Sequence, residues 1–309
     1  MPYTHLVFTL PHQLNALYGT HPRWVIDTLF TSTAATLAEF AADPRWMGAS
    51  DGTPAFSLVL HTWSQELRRH IHLHAVRACG VLREGAWQRP RRSADFLFPV
   101  QALSRVLRGK FLQALTQAHA SGPIERDRPE STDAWRERLR TLYRHDWVVY
   151  AKTPLGGPAQ VLEYLSRYTH RTAISNERIR AVTDTEVLFT VRADAHGGKK
   201  CMRLAGAEFV RRVLLHVLPT GIKRIRHYGV LAAGCKGEKL DAARQALQTP
   251  AAHPQALESA RDFLARVARI DAQQCPRCAS GRLRCVHTMA APRQLPEPGA
   301  MESHNRGPP

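Results

Sequence analysis

The stretch His61–Val76, HTWSQELRRHIHLHAV, places four of the chain's 16 histidines within 14 positions. Three of them, His70, His72 and His74, alternate with Ile71, Leu73 and Ala75. Successive side chains of a strand point to opposite faces, so the histidines share one side and the apolar residues the other. The apolar side anchors the strand in a core and leaves the imidazoles facing a cleft. Just upstream, AFSLVLHTW (55–63) reads as a second strand, and only the polar SQELRR separates it from the histidine strand 70–79. Strands joined this closely are antiparallel neighbours, which lets His61 lie opposite the cluster. Two histidines one residue apart, with a third from the adjacent strand, form a facial tripod for a divalent ion. His70, beside Arg68 and Arg69, is the expected bystander, and Gln65 is the alternative to His61 as third ligand. Imidazole donors favour Mn²⁺ and cellular abundance favours Mg²⁺, so Mg²⁺ or Mn²⁺ is expected.

Outward from this hairpin the chain reads as a mixed fold. HLVFTL (5–10) is a buried strand, and residues 22–42 form a helix with Pro22 near its start. A basic loop (83–93) leads to the amphipathic FPVQALSRVLRGKFLQALTQAHA, then a helix over 134–144 and a strand over 146–152. A helix over 158–171 follows the TPLGGP turn. Strands are expected near 177–183, 186–192 and 200–204, then a helix over 206–217 and a basic strand KRIRHYGVL. This order implies an α+β domain, an antiparallel sheet with helices on one face.

The composition bounds the partners. A hydrophobic fraction of 44% indicates a folded globule, and a formal charge of +17 with a pI near 10.3 attracts polyanions, nucleic acid above all. No run approaches the roughly 18 apolar residues of a membrane span. The start, MPYTHLVFTLPHQ, has too short an apolar core for a signal peptide. A cytoplasmic, nucleoid-associated bacterial protein with reduced thiols is expected, with no membrane partner. GVLAAGCKG (229–237) resembles a phosphate-binding loop only superficially, because Cys235 and Lys236 interrupt the Gly-Lys-Ser/Thr element, so no nucleotide cofactor is expected.

YLSRY places Tyr164 and Tyr168 four residues apart, on one face of the 158–171 helix. Val161, Leu162 and Leu165 point roughly 90° away on a wheel of 3.6 residues per turn, leaving the phenols at the margin of the aliphatic stripe. A phenol has a reference pKa near 10 and is a poor nucleophile without a cation or base to help it. A metal beside it that polarises a phosphodiester supplies that help.

With a His-hydrophobic-His strand, a downstream YLSRY helix and an early FTL strand, the chain resembles the HUH endonucleases. VFTLPHQLN, LHTWSQEL, HIHLHAV, FLFPVQALSRVLRGKFLQAL, YAKTPLGGPAQVLEYLSRYTHRTAISNERI and LLHVLPTGIKRIRHYGVLA together are similar to the two-tyrosine rolling-circle transposases of bacterial insertion sequences. The similarity spans roughly residues 3–235. It implies an HUH fold and a metal-dependent single-strand DNA nickase and strand transferase. His72 and His74 are then metal ligands, His61 the third by its relaxase-like spacing, and Tyr164 and Tyr168 the nucleophiles. Family members usually carry a cysteine-rich zinc module before the first strand, whereas this sequence begins almost at that strand. Arg77-Ala78-Cys79 also stands where a Pro-Gly-Gly loop is usual, and Ile71 where proline is usual. The competing readings are a decayed, non-catalytic DNA-binding remnant and a small-molecule metallohydrolase. Paired tyrosines and basic charge disfavour the latter.

The expected division is a catalytic domain over 1–235, with a helical insertion about 95–145, and a basic extension over 236–309 ending in a disordered tail. CPRCASGRLRCVH (275–287) offers Cys275 and Cys278 as a zinc knuckle, with Cys285 and His287 as partners; the alternative is a half-knuckle without metal. Clusters of Arg and Lys at 68–92, 105–110 and 211–226 suggest a groove for single-stranded DNA, with Arg211, Arg212, Arg224 and Arg226 as backbone contacts.

Overall fold

A computed structural model describes residues 2–249, apart from 48–49, 92–97, 123, 125–130, 156–160, 162–172 and 194–197, together with parts of 259–286. The strands are β1 (Tyr3–Thr9), β2 (Thr53–Trp63), β3 (Arg69–Arg83), β4 (Ala86–Gln88), β5 (Val149–Leu155), β6 (Ile179–Val182), β7 (Glu186–Arg192), β8 (Lys199–Ala205) and β9 (Ile225–Gly229). The described α-helices are α1 (Asn15–Thr20), α2 (Pro22–Ala41), α3 (Pro44–Met47), α4 (Val100–Ser121), α5 (Thr132–Arg144), α6 (Gly206–Leu214), α7 (Lys236–Ala246) and α8 (Ala260–Phe263). One antiparallel sheet runs β5-β1-β3-β2-β9, with β4 added to β3, and β6-β7-β8 form a second, three-stranded sheet. The α+β class expected from the sequence is the fold observed.

The alternation in β3 decides which face is core. Ile71, Leu73 and Ala75 join Leu6 and Phe8 of β1 and Phe56, Leu58 and Leu60 of β2 under α2 and α4. Leu103, Leu107, Phe111 and Leu115 recur at every fourth residue of α4 and are all essentially buried. Each such side chain contributes about 1.5–3 kcal/mol of burial. α4 therefore supplies part of the core. α5 is capped by Ser131, whose hydroxyl accepts from Ala134 N at 3.2 Å.

Three differences from the sequence reading have physical causes. The basic loop after β3 turns back as β4, where the indole N–H of Trp87 donates to Cys79 O at 3.3 Å. Residues 236–246, expected to open the C-terminal extension, form α7 and pack Ala243 with Ala55, Ala78, Leu82 and Val230 over the far end of the histidine face. Accordingly the chain divides into Met1–Pro250 and Ala251–Pro309, with α7 in the first unit. Gly229 lets β9 end against β2: its φ is +62°, and a Cβ there would lie 1.8 Å from Pro54 O.

Arg77 lies on the helix-facing side and is fully buried. Its guanidinium sits 4.7 Å from the Phe98 ring centroid, while Nε and Nη1 have no hydrogen-bond partner. Burial lowers its pKa to about 10, so it stays charged at neutral pH. An unsatisfied buried polar group costs about 1–3 kcal/mol, and exchanging such a charge for a long apolar side chain is commonly neutral or stabilising. Arg77→Met is expected to leave Tm unchanged or raise it by about 2–4 °C. A clear fall in thermal melting would show that the cation–π contact outweighs the desolvation.

Candidate metal centre and DNA-processing cleft

β2 and β3 pair with His61 opposite His72 and Val59 opposite His74. On the other side of β3, Thr9 pairs with His72 and Val7 with His74. Directly paired residues share a face, so His61, His72 and His74 emerge together. Their ligand atoms all lie within 4.8 Å of one another. The rings of His61 and His74 are centred 4.4 Å apart, His72 and His74 4.9 Å, and His61 and His72 5.3 Å. All three are buried, with exposures of 4–8%, yet they line a cleft of about 340 Å³.

A hydrogen bond fixes which nitrogen His72 can offer. His72 Nδ1 lies 2.8 Å from His70 O. A carbonyl only accepts, so His72 Nδ1 carries the proton and Nε2 keeps its lone pair. His74 Nδ1 lies 2.9 Å from Nε2 of His5, whose ring stacks on it at 5.2 Å and 12°. Burial, with the neighbouring imidazoles of His61 and His70, pushes the His72 pKa down to about 3, so it is neutral under ordinary conditions. Neutral, tautomerically fixed imidazoles are what a divalent ion requires. Metal–nitrogen bonds of about 2.0–2.1 Å place the three ligands of a facial tripod about 3 Å apart. The ligand atoms, within 4.8 Å of one another, can hold one ion once the rings turn inward to close that spacing by up to about 2 Å. His70 is not among the three converging ligands, although its ring lies 4.8 Å from that of His72 and 5.8 Å from that of His12.

The cleft has a second wall. Ala173, Ile174, Ser175 and Arg178 face the histidines across it, and Gln65 and Trp63 complete the lining. Arg178 donates to Gln65 O and, through Nε, to Thr190 O at 2.8 Å, tying the β2–β3 turn to β7. Trp63 stacks on His61 at 4.5 Å, and the Arg224 guanidinium lies 5.6 Å from the Trp63 centroid. One basic residue is thereby set at the margin of the histidines.

Residues 55–239, well over half of the chain, match the Y2_Tnp family, described as "Putative transposase". The chain belongs to the Y2_Tnp transposase family. The resemblance read from the sequence is thereby borne out. Among relatives of this transposase, "Putative transposase y4qJ" of Sinorhizobium fredii (strain NBRC 101917 / NGR234) is 38% identical over 91% of this chain and 72% of its own length. The transposase for insertion sequence element IS801 of Pseudomonas savastanoi pv. phaseolicola is 29% identical over 94% of this chain and 68% of its own. A solved structure of TrwC complexed with a 27-mer DNA overlaps 80% of this chain and 74% of that one. Its identity is 12% and its TM-score 0.28, too loose a superposition to carry an argument.

The other expected site residues of the transposase are placed as follows. Tyr164 and Tyr168 lie outside the described residues, but both flanks are fixed. Val161 is buried in a second cavity on the histidine face of the sheet, beside Tyr3 and Val76, and Ala173–Ser175 line the histidine cleft. Of the four candidate arginines, three are engaged by carboxylates of the same chain. Arg226 pairs with Asp27 and stacks over Phe30. Arg211 and Arg212 both bind Glu208, at 2.6 and 2.7 Å, and their hydrogen bonds hold its pKa down to about 2. Arg212 also donates to Glu66 O at 3.0 Å. These contacts give Arg212 and Arg226 structural roles that the sequence clusters did not reveal. Cys275 and Cys278 sit in the second unit, and Cys285 and His287 lie outside the described residues. Among the described helices none is long and apolar enough to cross a membrane.

The sequence reading missed His5, Trp63 and Arg178. Only His5 left a trace: it alternates with Val7 and Thr9 along β1, the same period-2 pattern that exposed the histidine strand.

Proposed function

We propose that this transposase is a metal-dependent, HUH-type single-strand DNA nickase and strand transferase of the rolling-circle kind, working through a 5′-phosphotyrosine. The supporting observation is the tripod of three buried imidazoles, His72 among them held neutral, in a cleft whose lining resumes five residues after Tyr168. Val161 and Ala173, the described residues on either side of both tyrosines, line cavities on the same face of the sheet. A divalent ion on His61, His72 and His74, Mg²⁺ or Mn²⁺, would polarise the scissile phosphodiester and offset the added negative charge of its transition state. The phenol oxygen attacks phosphorus and its proton is lost. The P–O3′ bond breaks, and the leaving oxygen takes up a proton as a free 3′-hydroxyl. Because one ester replaces another, a second 3′-hydroxyl reverses the chemistry without a nucleotide cofactor. Arg224 and Trp63 are the side chains best placed to hold the strand, one by charge and the other by base stacking.

The test is incubation with Mn²⁺ and single-stranded oligonucleotides of the element's ends. A covalent protein–DNA adduct that survives denaturation is expected. Binding without adduct at any end sequence would favour the decayed, DNA-binding remnant.

His5 is a positioning residue in this scheme. By accepting from Nδ1–H of His74 it leaves His74 Nε2 bare for the ion, and its parallel ring blocks rotation about χ2. Losing such a partner costs about 10–100-fold in metal affinity. His5→Phe keeps the stack but removes the acceptor, and is expected to weaken Mn²⁺ binding by that factor in titration calorimetry, with Tm little changed. His5→Gln, which restores an acceptor, should recover part of the loss. Equal affinities for wild type and His5→Phe would assign His5 to packing alone.

A further inference from the structure

Beyond the His61–His72 pair the ladder between β2 and β3 is irregular. The next pair is Trp63 with Arg69, so β3 takes one step more than β2 over this interval. A bulge of this kind re-aims the side chains beside it. Strand pairing alone therefore does not set how His61 and His72 are presented at this end of the sheet. The turn that follows is held from outside the sheet. Three successive carbonyls accept from side chains of other elements: Gln65 O from Arg178, Glu66 O from Arg212 at 3.0 Å, and Leu67 O from Nε2 of His216 at 3.1 Å. Leu67 itself has φ +60°, a left-handed conformation disfavoured for any residue with a Cβ. The surroundings hold it there, because its side chain is fully buried with Ala173, Phe189 and Val191.

His216, two residues beyond α6, differs from the two arginines in gripping both limbs of the hairpin. A carbonyl only accepts, so Nε2 carries the ring proton and Nδ1 is bare. Nδ1 lies 3.2 Å from Thr62 Oγ1, which therefore donates to it. Thr62 stands between His61 and Trp63, the residue whose ring stacks on His61 at 4.5 Å. The His216 ring also meets Trp63 edge-on, 6.1 Å away at 64°. His216 is buried, and burial lowers its pKa, which keeps the ring neutral and both hydrogen bonds in place.

We propose that His216 is a positioning residue for the metal centre: by tying Thr62 to Leu67 O it fixes the bulged end of the hairpin, and with it the presentation of His61 to His72 and His74. The inference rests on the reading of those three histidines as metal ligands. His216 acts through Thr62 and Trp63, the two neighbours that hold one ligand in place.

His216→Leu keeps most of the volume and removes both hydrogen bonds. It is expected to weaken Mn²⁺ binding about 10-fold in titration calorimetry, the lower end of the effect of residues that orient a ligand. His216→Gln puts an amide donor where Nε2 was, and His216→Asn an acceptor where Nδ1 was. Each should recover part of the loss, which a role in packing alone would not produce. In the metal-free chain, imidazole nitrogen NMR should show His216 as the Nε2–H tautomer. His216→Leu should move the ring nitrogens of His61 and His72 and leave those of exposed His145 where they are. A wild-type chain that binds no Mn²⁺ would overturn the metal reading and this inference with it. Where the wild type binds, equal affinity in His216→Leu, or unmoved His61 and His72 nitrogens, would overturn the positioning role alone. If His216→Leu loses its melting transition, the other two variants decide. Intermediate Mn²⁺ affinity at a near-parental Tm supports positioning, and wild-type affinity in both, or loss of the fold in all three, overturns it.

Discussion

Replacing both Tyr164 and Tyr168 with Phe is expected to abolish the covalent DNA adduct while leaving the chain folded and able to bind single-stranded DNA. The substitution removes two hydroxyl oxygens and keeps both rings, so packing is preserved and only nucleophilicity is lost. Removing the attacking group from an enzyme that acts through a covalent intermediate costs several powers of ten in rate, on the order of 10³-fold or more. The adduct should therefore fall below detection on a denaturing gel, with electrophoretic mobility shifts and Tm within error of the parent. Two phenols one helical turn apart, about 6 Å along the axis, can serve two strand transfers in succession. Once esterified, the first cannot attack again until it is released. Each single variant should accordingly retain some cleavage and fail at complete transposition. Adduct formation by the double variant would place the nucleophile elsewhere, and loss of its melting transition would make the tyrosines core residues.

What the sequence disclosed here was what depends on short-range period. The alternation in β3 identified both faces of the central sheet, and the six-residue connection to β2 let His61 lie opposite the cluster, while the register that pairs it with His72 came from the structure. α4 announced itself by apolar residues every fourth position. α7 did not, because its stripe is thin. Apart from alanines its only apolar contact among the described residues is Leu240, with Ala242, Ala243 and Ala246 set among Lys236, Glu238, Lys239, Asp241 and Arg244, so the segment read as basic tail. The arginine clusters left these ion pairs undisclosed for a different reason. Whether a guanidinium is free depends on a carboxylate that is remote in sequence, and Asp27 lies 199 positions from Arg226. The same limit hid His5, whose contact with His74 spans 69 positions. A lone histidine in a buried strand carries no period of its own. Its meaning came from the pairing of β1 with β3.

Metal binding is expected to collapse in the His72→Ala, His74→Ala chain. Two of three ligands are removed, and the loss should exceed the roughly 10–100-fold penalty of losing a residue that only hydrogen-bonds to a ligand. Mn²⁺ titration should show no binding in the micromolar range, and nicking should disappear with it. The fold should survive, because both side chains face the cleft and the apolar residues between them stay in the core. Ile71, Leu73 and Ala75 remain buried beneath α2 and α4. Truncating His72 also removes an imidazole that the fold keeps neutral, so no paired charge is left stranded. His61→Ala discriminates between the two candidates for third ligand. His61 lies closest to His74 and is held by the Trp63 stack at 4.5 Å, which argues for a loss comparable to that of either strand partner alone. Gln65 also lines the cleft, so a loss much smaller than that of His74→Ala would assign the third position to the Gln65 amide or to water. Unchanged Mn²⁺ affinity in the double variant would dismiss the tripod as a metal site and leave the histidine face as packing.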